Sequence, residues 1–242
     1  MALKWVESRE EMNPQYKRMV RQLLESQAYR ELMAANVFGH ALKFVPELKY
    51  KQLIAEHITE ELEHYGEVCK LYDQLDLGDL NARMMERIER SPSFVPYPKS
   101  WFELAMVQFL YDRAGRFHLS EFRNCSDRPY ARIVGKILEE EEGHEGFGEK
   151  VLKDLCQHPE YRRRAQRLFN RWLPVALLSF GRPGTPGNRY CIKVGLKTRD
   201  SGEVMRDFIN DIKPTMVECG LKFPPREKMG VKLPEELDLG LP

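Results

Sequence analysis

The sequence predicts an all-α fold centred on a four-helix bundle. Apolar residues recur every three to four positions through long stretches of the chain, which is the periodicity of amphipathic helices. No stretch alternates apolar and polar residues over the length of a β-strand. Most prolines fall between the periodic stretches, where they would end helices rather than interrupt them.

Each helix is bounded by a signal in the sequence. Pro46 ends the first periodic stretch, and Ser100 is a suitable N-cap for the third long helix. The segment 91–98 contains several prolines and is expected to be a crossover loop. Helices are predicted before residue 181 at about 19–45, 48–77, 79–90, 101–125, 130–157 and 159–180, the last with a kink at Pro174.

The composition changes after residue 180. Glycines and prolines over 181–188 predict a loop, and one further helix is predicted over 201–219, with a kink or an early end at Pro214. The tail from 220 onward is expected to be an irregular strap or a disordered end. We therefore expect a bundle over 1–180 that carries the functional site, and an extension over 181–242 that packs on the same domain.

Composition narrows the classes of function. The 242 residues are 31% charged and 42% apolar, which is ordinary for a globular protein with a substantial core. Lys and Arg number 38 against 37 for Asp and Glu, so the charge balance gives no reason to expect nucleic acid or membrane binding. No apolar run approaches the roughly eighteen residues of a membrane span, and no signal peptide is evident. The five scattered cysteines favour free thiols and a cytoplasmic protein.

Two Glu-x-x-His motifs are the most informative pattern in the chain. Glu61 and His64 form the first, and Glu31 lies roughly thirty residues before Glu61. Residues three apart share a helix face, so Glu61 and His64 can point at one metal ion, with the glutamate free to bridge to a second. An antiparallel neighbouring helix would bring Glu31 to the same depth.

The second motif repeats this arrangement. Glu141 and His144 form the pair, and Asp112 lies roughly thirty residues before Glu141. Four carboxylates and two imidazoles on four helices are the ligand set of the di-iron or di-manganese centres of ferritin-like bundles. Carboxylate and imidazole ligands suit iron or manganese, and open positions at such a site would admit dioxygen. The alternative is that the acidic run 139–142 is a solvated helix face.

Four more residues are candidates for the surroundings of the metal ions. Glu60 and Glu140 each precede a predicted bridging glutamate, and either could accept the outer N–H of an imidazole from another helix. His57 lies one turn before Glu61 and is either a pocket residue, an extra nitrogen donor or a core histidine. Gln108 lies one turn before Asp112 and is a candidate polar group of the pocket.

Other polar residues are not expected to be ligands. His40 and His118 are expected to be surface or core histidines, and Glu103 and Glu121 lie too far along the helix from Asp112 to reach the same level.

Several segments of the sequence, beyond the candidate ligands, are similar to those of a known family. They are Glu60-Glu61-Leu62-Glu63-His64-Tyr65-Gly66, Phe109-Leu110-Tyr111-Asp112, Cys125-Ser126, Pro129-Tyr130-Ala131-Arg132, Asn170-Arg171-Trp172-Leu173-Pro174 and Phe208-Ile209. Over residues 20–225 the chain resembles the catalytic subunit family of the bacterial phenylacetyl-CoA epoxidase, the phenylacetic acid catabolic proteins.

The resemblance implies an activity, cofactors and partners. It implies that Glu31, Glu61, His64, Asp112, Glu141 and His144 are iron ligands. It implies dioxygen as co-substrate, a separate reductase as electron donor, and epoxidation or hydroxylation of an aromatic or acyl group held as a coenzyme A thioester. A homologous non-catalytic subunit pairs with the catalytic one in that family. A homodimer is the alternative assembly, because this chain is shorter than the family's catalytic subunit.

Three classes of function follow from these observations. The first is the di-iron oxygenase just described. The second is a ferritin-like protein that handles iron, peroxide or electrons, although the Cys-x-x-Cys motif typical of rubrerythrins is missing from the sequence. The third is a structural partner subunit that has lost its metal, and such a subunit should lack at least one ligand. The basic stretch 162–171 is a solvated face or a dock for an acidic partner or the phosphates of coenzyme A.

Overall fold

The structure is a computed structural model that describes residues 5–90, 96–231, 233, 235 and 237–240. Its helices are α1 Pro14–Ala41, α2 Leu48–Gln74, α3 Leu80–Arg90, α4 Trp101–Val107, α5 Arg113–Ser120, α6 Arg128–Cys156, α7 Pro159–Leu178, α8 Pro186–Lys193 and α9 Ser201–Cys219. One isolated parallel bridge joins Val6 to Asp127, and the described residues form no β-strand. The prediction of an all-α fold is confirmed.

The bundle is built from two helical pairs. Helix α1 packs along α2, and α6 packs against α2 and against the continuous run from α4 to α5. Asn13 and Asp127 cap α1 and α6 by accepting hydrogen bonds from the first helical turn, so both long helices begin at a fixed point. The four long segments thus enclose one interior, as expected for a ferritin-like bundle.

The third long helix differs from its prediction in two respects. It ends at Ser120 rather than near residue 125, and it is interrupted by a π-helical turn over Gln108–Asp112 between α4 and α5. A π turn contains one extra residue, and such turns occur frequently at functional sites. Here the π turn contains Gln108 and Asp112, two of the residues selected from the sequence.

The C-terminal part contains one helix more than predicted. The segment 181–188 is not all loop, because α8 begins at Pro186, where Thr185 caps it by accepting a hydrogen bond from the Asn188 backbone at 3.2 Å. Proline fits the first helical turn since its missing N–H would have no partner there. Helix α9 spans Ser201–Cys219, as predicted, so of the two alternatives at Pro214 the early end is excluded. Helix α7 continues past Pro174 to Leu178, close to its predicted end.

The tail packs on the helices where it is described. Met229, Leu233 and Leu237 are buried in the same core cluster as Trp172 of α7 and Phe208 of α9. This part of the tail is therefore a strap on the core. The crossover predicted over 91–98 lies largely outside the described residues, and among the described helices none is long and apolar enough to cross a membrane.

Candidate metal centre

Helix α2 turns a polar stripe towards the interior of the bundle. Its buried residues keep helical spacing but change from apolar to polar at mid-length: Ile54, His57, Glu61, His64, Val68, Leu71 and Tyr72. The intervening Leu62 is 48% exposed, whereas Glu61 is 2% exposed. Burying carboxylates and imidazoles while exposing a leucine is unfavourable unless the polar groups have partners. The sequence of α2 is thus arranged around a polar site and not around an apolar core.

Three other helical segments turn ionisable residues towards the same point. Glu31 of α1, Asp112 of the π turn, and Glu141 and His144 of α6 are each less than a tenth exposed. One donor atom from each of Glu31, Glu61, His64 and Glu141 lies within 4.8 Å of the others. Atoms at this spacing are close enough for one metal ion to bind them together.

The remaining two predicted ligands lie beside this group. His144 Nδ1 is 3.4 Å from Glu61 Oε1 and 3.9 Å from Glu141 Oε2. Asp112 lines the same small cavity as Glu31, Glu61 and Glu141, and this cavity has a volume of about 30 Å³. All six residues selected from the sequence are therefore found in one buried cluster.

Two hydrogen bonds connect the two halves of the site crosswise. His64 Nε2 lies 2.5 Å from Glu140 Oε2, and His144 Nε2 lies 2.7 Å from Glu60 Oε2. Each imidazole thus contacts the glutamate that precedes the Glu-x-x-His glutamate of the other motif. A carboxylate at Nε2 fixes the orientation of the ring. The lone pair of Nδ1 then faces the interior, where it can ligate a metal ion.

His57 and Gln108 form a third contact at the edge of the site. Gln108 Nε2 lies 3.2 Å from His57 Nδ1, and the His57 ring packs on the His144 ring with centroids 3.8 Å apart. Burial lowers the pKa of His57 to about 3, and the neighbouring His144 adds to this effect. His57 is therefore neutral near pH 7. It packs against His144 and lies outside the group of four donors around Glu61.

Burial gives the carboxylates of the site unusual proton affinities. It raises the pKa of Glu61 well above its usual range, and the charges of Glu141 and Glu31 add to the effect. It also raises the pKa of Glu141 to about 8, although His144 opposes the change. The pKa of Asp112 is raised well above its usual range by burial and by the charge of Glu145. Carboxylates crowded in this way repel one another unless they are protonated or neutralised by cations.

Several polar atoms of the cluster lack partners. Glu61 Oε2, Asp112 Oδ2, His64 Nδ1 and His144 Nδ1 are fully buried and make no hydrogen bond. Buried polar atoms without partners are rare in native proteins and commonly mark an ion or water site. Carboxylate oxygens and neutral imidazole nitrogens are ligands for iron, manganese or zinc. The donor set therefore fits a metal ion of this kind.

Similarity to known proteins agrees with this geometry. A sequence model for the family described as phenylacetic acid catabolic protein matches residues 1–234. The chain belongs to this family. It is also similar to an Escherichia coli (strain K12) protein that is named as one subunit of 1,2-phenylacetyl-CoA epoxidase, with 22% identity over 225 residues that cover 90% of this chain and 73% of the relative. The family resemblance identified from the sequence is thus confirmed.

Two side chains that line the site were not predicted from the sequence. Gln27 lies one turn before Glu31 on α1 and donates a short hydrogen bond to Glu31 Oε1. Tyr111 lines the cavity beside Asp112, and burial raises its pKa to about 12. The polar Gln27 on a helix face that is otherwise apolar was an available signal. The position of Tyr111 depends on the π turn, which the sequence did not indicate.

The residues set aside from the sequence have structural roles. Buried Glu103 accepts hydrogen bonds from Trp172 Nε1 at 2.9 Å and from the Lys99 backbone at 2.9 Å. Buried Glu121 accepts three hydrogen bonds from Arg199, which ties α5 to the segment before α9. His40 stacks on Tyr97. Burial lowers the pKa of His118 well below its usual range.

Proposed function

We propose that this chain is the catalytic subunit of a di-iron monooxygenase. Glu31, Glu61, His64, Asp112, Glu141 and His144 would hold the two iron ions. The observation that carries the proposal is the group of three carboxylates and one imidazole around Glu61, with Asp112 and His144 beside it and with donor atoms left unpaired in a buried site. That combination is typical of ferritin-like di-metal proteins, and manganese would suit the same donors.

The chain's own residues would divide the work at this site. Glu61 and Glu141, together with Glu31 and Asp112, line one small cavity and would hold the ions through their carboxylates. Glu60 and Glu140 would hold the two imidazoles in their ligating orientation through the crossed hydrogen bonds. The cluster is almost fully buried, so these residues would also restrict the access of water.

The reaction class follows from the metal ligands and the relative. A bound di-iron pair supplies the reduction of dioxygen with two electrons and two protons, so that one oxygen atom enters the substrate and the other leaves as water. The named relative supports an aromatic coenzyme A thioester, such as phenylacetyl-CoA, as the substrate, with epoxidation or hydroxylation as the outcome. The relative is named as one subunit, which supports a partner subunit or a second copy in the assembly. A separate reductase would supply the electrons.

The alternative of a metal-free partner subunit is less well supported. Loss of function in such a subunit would remove selection on the ligands, yet all six are present and lie in one cluster. An iron-storage role would not account for the similarity to a subunit of an epoxidase that acts on an aromatic coenzyme A thioester. We therefore rank the oxygenase first.

Metal content tests the proposal most directly. The protein, loaded anaerobically with ferrous iron and desalted, should retain about two irons per chain by plasma mass spectrometry. Glu141→Ala and His64→Ala should lose tight iron binding while they keep their helical circular dichroism. Wild-type iron content in both variants would refute the site assignment. No iron in the wild-type chain would favour the partner subunit. The loaded protein should then be assayed with a reductase and phenylacetyl-CoA under ¹⁸O₂, with incorporation of one labelled oxygen as the expected result.

A further inference from the structure

Two helices near the site approach each other closely at Gly148. This residue lies one turn beyond His144 on α6 and faces the start of the π turn. A Cβ atom at Gly148 would lie 2.4 Å from Gln108 Cβ, 2.9 Å from the Phe109 backbone nitrogen and 3.1 Å from the Ala105 carbonyl oxygen. Carbon atoms in contact normally lie about 3.5–4.0 Å apart. At this point the two backbones meet at a separation that only glycine permits.

Gly135 and Gly146 of the same helix are not used in this way. A Cβ atom at Gly135 or Gly146 would have no neighbour within 4 Å outside its own helix. Glycine is a poor helix former, so its presence inside a long helix needs a reason. For Gly148 the packing supplies that reason, because the neighbour it admits is the backbone of the π turn.

We propose that Gly148 is a positioning residue, which seats the π turn against α6 at the depth that brings Asp112 and Gln108 into the metal centre. The inference rests on the proposed function, since it concerns how this chain arranges residues around the two ions. It adds a specific requirement: the position of Asp112 relative to Glu141 and His144 depends on Gly148, which is not itself a candidate ligand.

Two routes lead from this contact to the site. The first is the π turn itself, whose last residue is Asp112, an aspartate with an unpartnered buried oxygen. The second runs through Gln108, which contacts His57, and His57 packs on the His144 ring. A displacement of the π turn from α6 would therefore disturb Asp112 directly and His144 indirectly. Glu31 and His64, on α1 and α2, would be little affected.

Gly148→Ala tests the proposal, with Gly146→Ala as the control on the same helix. After anaerobic ferrous loading, we expect Gly148→Ala to lose one of the two irons and Gly146→Ala to retain both. Amide hydrogen exchange of residues 105–112, measured without metal, should be at least tenfold faster in Gly148→Ala and unchanged in Gly146→Ala. A purely structural role would lower the melting temperature without changing the iron stoichiometry. Two irons and wild-type exchange in Gly148→Ala would overturn the proposal.

A double variant keeps the test decisive if Gly148→Ala folds poorly. Gln108→Gly removes the Cβ atom nearest to the added methyl group but leaves the Phe109 nitrogen and the Ala105 oxygen in place, so the double variant should recover part of the iron binding that Gly148→Ala loses. Gln108→Gly alone, which also lacks the contact with His57, provides the baseline for iron content and for exchange over 105–112. A double variant that recovers no iron relative to Gly148→Ala would contradict Gln108 Cβ as the main obstacle. If the wild-type chain binds no iron, the proposed function fails. The metal-free exchange data then decide the packing claim by themselves, and unchanged exchange in Gly148→Ala overturns it.

Discussion

The two halves of the candidate metal centre share a sequence pattern but differ in how their outer carboxylates are held. Glu31, in the first half, lies on a regular helix and accepts a hydrogen bond from Gln27 one turn away. Asp112, in the second half, lies on a π turn, and its buried Oδ2 has no partner. The outer carboxylate of the first half thus has a hydrogen-bond partner for one oxygen, whereas the outer carboxylate of the second half has a buried oxygen without a partner.

The electrostatics follow the same division. Burial acts to raise the pKa of Glu31, but the neighbouring His64, Glu61 and Gln27 together outweigh burial, and the pKa is lowered. For Asp112, burial and the charge of Glu145 act together and raise the pKa well above its usual range. Near-duplicate motifs can therefore produce unlike sites, because the environment of each carboxylate is set by neighbours outside the motif. Asp112 is therefore the less well stabilised of the two outer carboxylates as an anion.

Removing Glu61 should have the largest effect, because this carboxylate belongs to both halves. Its oxygens lie near His144 as well as in the group formed with Glu31, His64 and Glu141. Glu61→Ala should reduce the iron content from about two per chain to nearly none. The exposed Glu63→Ala on the same helix is the matched control. Retention of one iron by Glu61→Ala would show that the halves bind metal independently.

The crossed hydrogen bonds should have the next largest effect. Changing a residue that orients a metal-binding histidine typically weakens metal affinity about 10- to 100-fold. We expect Glu140→Gln and Glu60→Gln both to fall in this range, because each changes the carboxylate that contacts one imidazole. Chelator competition with cobalt would measure the affinities. The exposed Glu139→Gln and Glu56→Gln are controls, and equal affinities in all four variants would exclude an orienting role.

The metal-free protein should lose stability as the pH rises through about 7 to 9. The pKa of Glu141 is raised to about 8 by burial. Burial lowers the pKa of His64, but Glu31 and Glu140 outweigh burial and raise it to about 9. In this window the folded chain holds protons that the unfolded chain has released, so the free energy of unfolding decreases with pH, by about 1.4 kcal/mol per pH unit for each proton. His57, with a pKa of about 3, is neutral in both states here.

Urea unfolding at several pH values would measure this dependence. Bound iron replaces the protons, so the loaded protein should show little change over the same window. A metal-free protein whose stability rises from pH 7 to 9 would contradict the electrostatic description of the site. The variant Glu141→Gln, which cannot release this proton, should show a shallower slope.

The elements and residues that the sequence predicted correctly are those controlled by local patterns. The long helices and the positions of Glu61 and His64 follow from apolar spacing and from residues three apart on one face. Helix α8 was missed although Thr185 and Pro186 are a good helix start, because the glycines around them suggested a loop. The π turn could not be predicted, since residues 101–120 show continuous helical periodicity and the contact with Gly148 is distant in sequence. Local patterns also could not predict that one oxygen of Asp112 has no hydrogen-bond partner, because its neighbours come from distant parts of the chain.

The smallest expected effect distinguishes the two halves most sharply, because its sign differs between them. Glu31→Gln weakens charged contacts with His64 and should destabilise the metal-free protein by about 1 kcal/mol. Asp112→Asn removes a buried carboxylate that has an unpartnered oxygen, and it should stabilise the metal-free protein by about 1 kcal/mol. Both variants replace a carboxylate by an amide of similar shape, so each serves as the control for the other.

Urea unfolding of both variants without metal near pH 8 would measure these changes. Each variant should also bind iron more weakly, so opposite effects on the metal-free protein would accompany similar effects on binding. Equal destabilisation of the metal-free protein by both changes would mean that Asp112 is as well satisfied as Glu31. The π-turn half would then be organised before metal binds. Stabilisation by Asp112→Asn alone would show that this half is held in an unfavourable state, which the protein retains because the metal ion needs the carboxylate there.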